Sequence, residues 1–277
     1  SMIYLCKELW IGKSISFTVG FKEFKKNISV GVKLLLANLL GMLIIGIGRF
    51  LIQVFGGIED FAIYSFGITI TGLLLTAITA FSLVLYPSIK RLNENNYKKY
   101  FISVNSFVIT FNFVILFLYF PAYWGVNSFY DKYTEMLPYL NLLFIIAILQ
   151  SKMSILNNTF YKVLRKEKAM LAANLSAVLF FAVLAPIVFY FTKSIWSVAF
   201  TTFTTMLLLC YVSEIYLKKI INIQFDYKFI IEIVFIIVFI ITTTFMNIKY
   251  LAFFYILFLL IWVTLNISEW KKIVQIL

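Results

Sequence analysis

The stretch GVKLLLANLLGMLIIGIGRFLIQVFGGIEDFAIYSFGITITGLLLTAITAFSLVLYPSIKR, from Gly31 to Arg91, decides the fold. It holds two apolar segments joined at Gly56-Gly57-Ile58-Glu59-Asp60, and each is long enough to cross a hydrocarbon core, which takes about 20 residues of helix. One charge, Arg49, lies inside the first segment. A cation in such a run is unfavourable unless it faces a bundle interior, a wet path or a partner, so Arg49 is the first candidate for function.

The rest of the chain follows the same pattern. Hydrophobic residues make up 62% of it and charged residues 13%, against about 45–50% and 25% in a soluble domain. This predicts an all-α polytopic membrane protein. A β-barrel is a poor alternative because stretches such as Phe229 to Met246 are apolar on every face, whereas barrel strands alternate. After a polar stretch of residues 1–30, read as a linker without a span, segment A runs from about Gly31 to Phe55 and B from about Phe61 to Tyr86. Segment C covers about Tyr100 to Phe120 and D about Met136 to Phe160. E (about Ala169 to Phe191), F (about Ser194 to Leu217), G (about Phe229 to Met246) and H (about Tyr250 to Ile267) complete about eight transmembrane helices. The longest loop without a basic cluster lies between Pro121 and Glu135, where Tyr123, Trp124 and Tyr130 suit a membrane interface.

Charge tests this segmentation. Lysine and arginine should collect in alternate loops, and 19 of the 24 do, with only Lys132, Lys193 and Lys249 in the opposite set. Arg49 and Lys152 are left inside segments. The bias predicts both termini on the cytoplasmic side. The net charge of +12 is therefore a topology signal and does not mark a nucleic-acid surface. Histidine is absent, which removes the commonest general base and metal ligand. Cys6 and Cys210 suggest neither a disulfide framework nor a metal site, and no catalytic, cofactor-binding or metal residue is predicted.

The polar residues inside segments fall on faces. In A, Asn38 and Arg49 are eleven residues apart, three turns plus roughly 20°, and Gln53 lies about 40° further round. Segment D repeats the spacing with Asn141 and Lys152. Segment B carries Ser65, Thr69, Gly72, Thr76 and Thr79 on one stripe, which suits either close helix packing or the wall of a wet cavity. Asn105 and Asn112 in C leave the same two readings open, and Pro186 in E suits a kink.

Arg49 and Lys152 have two readings as well. They are structural, reaching an interface or pairing with an acid, or they meet an anionic ligand. None of the twelve acids lies near the middle of a segment, and Glu59 and Asp60 in the outer turn are the nearest to Arg49. An outer pairing of Arg49 with one of these stays open beside the anion reading, in which arginine holds phosphate oxygens in a two-pronged grip and lysine holds them as a point charge. By the same observation, ion coupling through a buried carboxylate is not expected.

The residues Arg49-Phe50-Leu51-Ile52, Phe55-Gly56-Gly57-Ile58-Glu59, Ala62-Ile63-Tyr64-Ser65-Phe66 and Leu85-Tyr86-Pro87-Ser88-Ile89-Lys90-Arg91-Leu92 resemble the seventh and eighth helices of bacterial polysaccharide flippases. These are the O-antigen and capsule-unit transporters of the multidrug, oligosaccharidyl-lipid and polysaccharide exporter superfamily. Segment D with Tyr161-Lys162-Val163-Leu164-Arg165-Lys166-Glu167-Lys168 is similar to the tenth helix. The resemblance implies a six-helix second lobe over residues 31–217, and two extra helices with a short cytoplasmic tail over residues 218–277. Residues 1–30 would be the inter-lobe connection. It further implies alternating access in the bacterial inner membrane, carrying an undecaprenyl-diphosphate-linked oligosaccharide between leaflets, with a first lobe or a second copy as partner. Arg49 and Lys152 would then meet the diphosphate, and Asn38, Gln53, Asn141 and Asn105 the sugar hydroxyls. Gly48 departs from the family, which often has an aspartate before the arginine. Two other classes remain: a half-transporter inactive alone, and a membrane enzyme of polysaccharide assembly, a polymerase or acyltransferase.

Overall fold

A computed structural model describes residues 17–90, 96–224 and 227–274, and every regular element among them is helical. The first hairpin pairs α1 (Phe17–Phe55) with α2 (Ile58–Lys90). Gly57 makes the turn at a φ of 100°, a left-handed conformation that glycine adopts without a side-chain clash. Segment C is α3 (Tyr97–Phe117) with α4 (Tyr119–Phe129), and D is α5 (Leu137–Lys152), a single π turn over Met153–Asn157 and α6 (Asn158–Val163). The helices α7 (Glu167–Thr192), α8 (Ile195–Ile220), α9 (Tyr227–Phe245) and α10 (Ile248–Val274) follow.

Among the described residues, seven helical stretches are long and apolar enough to cross a membrane, and Tyr250–Thr264 in α10 is a shorter apolar one. The chain is an all-α polytopic membrane protein of about eight helices, as the segments predict.

Two boundaries differ from expectation. The stretch before Gly31 is helix from Phe17 onward, continuous with α1; Ser1 to Ser16 of the predicted linker lie outside the described residues. Phe17, Phe21, Phe24 and Ile28 recur at helical spacing, and no proline interrupts them. The expected loop from Pro121 to Glu135 is also helical, through α4 and a 3₁₀ turn over Asp131–Met136. Pro121 falls in the first turn of α4, where its missing N–H leaves no helical hydrogen bond unmade. The helices α2 and α7 run on through Pro87 and Pro186.

The core is built around α5. Its residues from Tyr139 to Leu149 are all buried, in keeping with a sequence apolar on every side. It packs on α8, α2 and α3, while α1 packs chiefly on α7. At Gly48 a Cβ would already stand 3.4 Å from Val198 and 3.5 Å from Phe181, so an aspartate there would have to displace the neighbouring helices. The last two helices are fixed to the bundle by polar ties. Tyr255 donates to the Phe113 carbonyl at 2.7 Å, Trp262 donates to Thr110 at 3.0 Å, and Lys228 donates to Ser106 at 2.8 Å. Between α9 and α10 runs an apolar groove of about 500 Å³.

Candidate functional site

The polar residues of the spans fall into two groups, one sealed and one open. The sealed group lies where α5 meets α8 and α9. Lys152 is wholly buried; its Nζ stands 2.7 Å from a Glu214 carboxylate oxygen and donates to Glu232. Lys218, one turn beyond Glu214 on α8, holds the other Glu214 oxygen at 2.7 Å. Two cations and two carboxylates thus balance in a space lined by Cys210 and the Tyr211 ring, whose centre lies 5.0 Å from the Lys152 nitrogen. Charge balance makes this burial tolerable, because an unpaired ion in low dielectric loses its hydration without compensation. Asn105 reaches the cluster from α3, its amide 3.5 Å from Glu214.

The π turn begins directly after Lys152. It widens the helix by one residue and turns Asn157 toward α8, where its amide donates to the Cys210 carbonyl at 2.9 Å. Thr159 is buried and donates to the Ser154 carbonyl at 3.3 Å, five residues back, which is the spacing of the π turn.

Asn141 repeats the arrangement higher on α5. Its amide donates to Thr243 at 3.0 Å and lies 3.3 Å from Thr244, both on α9. Asn141 and Lys152 are eleven residues apart, and so are Thr243 and Glu232 on the antiparallel helix. Both ties therefore fall at matching heights, roughly 16 Å apart along the pair. The shared face of Asn141 and Lys152 is real, but it looks at α9.

This corrects the expectation that Lys152 has no acid at its depth. Glu214 and Glu232 sit three residues inside the predicted ends of F and G, and D runs three residues past its predicted end, so all three groups lie at one level. The expectation that the spans hold no buried carboxylate falls with it. Asn141 and Asn105 likewise already bond to protein groups, and Asn112 ties α3 to the Ile148 carbonyl at 3.1 Å. Sequence reading missed Glu214, Glu232 and Lys218. One signal was available, since Glu214 and Lys218 stand four residues apart on one helix face.

The open group lies on α1 and α2. Asn38 and Gln53 are exposed, and so are Thr69, Thr76 and Thr79 of the α2 stripe, with Ser65 and Gly72 half-buried. The three threonines turn their hydroxyls back to their own helix carbonyls, Thr69 to Ser65 at 2.8 Å, for example. The stripe does not pack within the chain: a Cβ at Gly72 would meet nothing within 4 Å, whereas one at Gly67, on the inner face, would come 2.5 Å from Leu143.

Arg49 stands at the boundary of the two groups. It is half-buried, near the buried Tyr64 hydroxyl, and no described carboxylate lies within ion-pair distance, Glu59 and Asp60 included. Its Nε is buried without a hydrogen-bond partner, and so are the Ser65 hydroxyl and the Gln150 carbonyl oxygen, while the Tyr64 hydroxyl faces Thr202. Tyr64, Gln150, Thr71 and Thr202 border an enclosed cavity of about 20 Å³, room for a water molecule. Buried polar atoms without a partner occur along the sealed seam too, at Asn105 Oδ1 and Asn157 Oδ1, so what sets Arg49 apart is the lack of an acid among the described residues.

No protein-family model, curated protein or solved structure matches this chain.

Proposed function

We propose that this chain is one lobe of a membrane carrier for an anionic, hydroxyl-rich lipid conjugate, an undecaprenyl-diphosphate-linked oligosaccharide, moved across the bacterial inner membrane by alternating access. Both termini would lie on the cytoplasmic side, in line with the bias of the basic loops. The observation that carries the reading is the contrast at Arg49. It is a cation without an acid among the described residues, on a hairpin whose exposed faces carry the amides of Asn38 and Gln53 and the hydroxyls of three threonines. Such a surface is unfavourable against hydrocarbon and suits the wall of a wet passage.

In this reading Arg49 meets the diphosphate, with its fork of N–H donors matched to phosphate oxygens. Asn38, Gln53 and the α2 threonines meet water and sugar hydroxyls. Lys152, Asn141 and Asn105 hold the lobe together and do not touch cargo in this conformation. The opposite wall is supplied by a first lobe or by a second copy, since one lobe cannot alternate against itself.

The test is to reconstitute the chain alone and with a candidate first lobe, and to follow lipid-linked oligosaccharide from one leaflet to the other. Arg49→Ala should lower transport at least tenfold while inserting normally; transport at the wild-type rate would reject Arg49 as the diphosphate contact. Transport by no combination of lobes would leave the chain an inactive half-transporter, and covalent change in the sugars would favour a membrane enzyme.

A further inference from the structure

A second pocket opens at the other end of the bundle from Arg49, where the cation-rich loops gather. It measures about 500 Å³ and lies among the ends of α2, α6 and α8 and the start of α3. Lys90, Lys98 and Arg165 face it over an apolar floor that includes Leu164 and Ile221, and no acid is among its described lining residues. Lys90 donates to the Val163 carbonyl at 3.2 Å, which fixes its ammonium at the rim. Lys98 and Arg165 are exposed, and neither makes an ion pair among the described residues. Three like charges around one concavity repel one another, and an anion seated between them removes that repulsion. Arg165 holds its place at a φ of 55°, a left-handed helix-end position where glycine is the usual residue.

The height of the pocket selects among anions. It sits where span-length helices end, at the level of lipid headgroups, and basic pockets between such helices are suited to anionic headgroups. We infer that this pocket binds the phosphate group of an anionic membrane lipid, with Arg165, Lys98 and Lys90 on the phosphate oxygens and the apolar floor under the first methylenes of the lipid. The site is independent of the transport reading, because it shares no residue with the Arg49 region.

The test uses the whole chain in detergent, titrated with fluorescent phosphatidylglycerol and with phosphatidylcholine of the same acyl chains. Phosphatidylglycerol should bind about tenfold more tightly, and Lys98→Ala and Arg165→Gly should each weaken it about fivefold. Arg165→Gly also relieves the left-handed backbone, so its thermal unfolding should be unchanged or higher and a loss of binding cannot be laid to misfolding. Lys132→Ala, in the opposite set of loops, should leave binding as it is. Inorganic pyrophosphate at millimolar concentration supplies the second arm: displacement would make phosphate alone sufficient and point to a soluble source, and no displacement would point to the lipid. Equal affinity for the two lipids, or wild-type binding by both variants, overturns the inference.

Discussion

The two polar regions of this bundle use similar residues for opposite ends. On the seam between α5, α8 and α9, Lys152 and Lys218 have carboxylates and are shut away from the surroundings, and Asn141 has the hydroxyls of half-buried Thr243 and exposed Thr244. On α1 and α2, Arg49 has no carboxylate among the described residues, and Asn38, Gln53, Thr69, Thr76 and Thr79 are exposed. A polar residue in a membrane helix is thus uninformative until its partner is known: paired, it registers two helices, and unpaired, it advertises a surface.

This contrast can be broken most forcefully at Lys152. Lys152→Ala would leave two buried carboxylates facing each other, and should cost roughly 3–5 kcal/mol of stability, read as early thermal unfolding in detergent. The double replacement Lys152→Met with Glu232→Leu should recover most of that loss, because Glu214 keeps Lys218 and no lone charge remains. If the double variant were as unstable as the single one, the cluster would not be the balanced unit described.

The inner and outer faces of α2 offer a sharper cut. Gly67→Ala should destabilise by about 1–3 kcal/mol, since its methyl must displace Leu143. Gly72→Ala, five residues on, has open space and should be neutral, or stabilising by up to about 1 kcal/mol from helix propensity. Equal losses at both positions would mean that the stripe is packed after all.

Smaller still is the coupling between Asn141 and Thr243. A double-mutant cycle with Asn141→Leu and Thr243→Val should give about 0.6 kcal/mol, the size of an ordinary hydrogen bond between membrane helices. Arg49→Met should shift the unfolding temperature least, because it removes a buried donor that has no partner to lose. A large loss there would reveal a structural role and weaken the transport reading.

Much of the fold is legible from the residues. Segment length and the placement of lysines define the spans, and Gly56-Gly57 predicts the hairpin that Gly57 makes. The helical face shared by Asn141 and Lys152 follows from their spacing alone. What the face meets does not follow, because Lys152 and Glu232 are 80 residues apart and their meeting depends on how α9 docks. Small differences at segment ends added to this: α8 runs three residues past the predicted end of F and α9 begins two before the predicted start of G, so Glu214 and Glu232 lie deeper than the segments place them. The start of α1 was hidden differently, since the lysines among Phe17, Phe21, Phe24 and Ile28 make an exposed helix read as a linker.

The two matched ties between α5 and α9 have a mechanical consequence. A rod held at one point can pivot, but a rod pinned at two points roughly 16 Å apart can neither swivel about its own axis nor slide along its neighbour without breaking both pins. The helices α5, α8 and α9 therefore form a stator. On α2, Ser82 and Lys90 make ties of the same kind, to the Ser154 and Val163 carbonyls 2.9 and 3.2 Å away, so the end of that helix away from Gly57 is held to the π turn and α6 and moves with them.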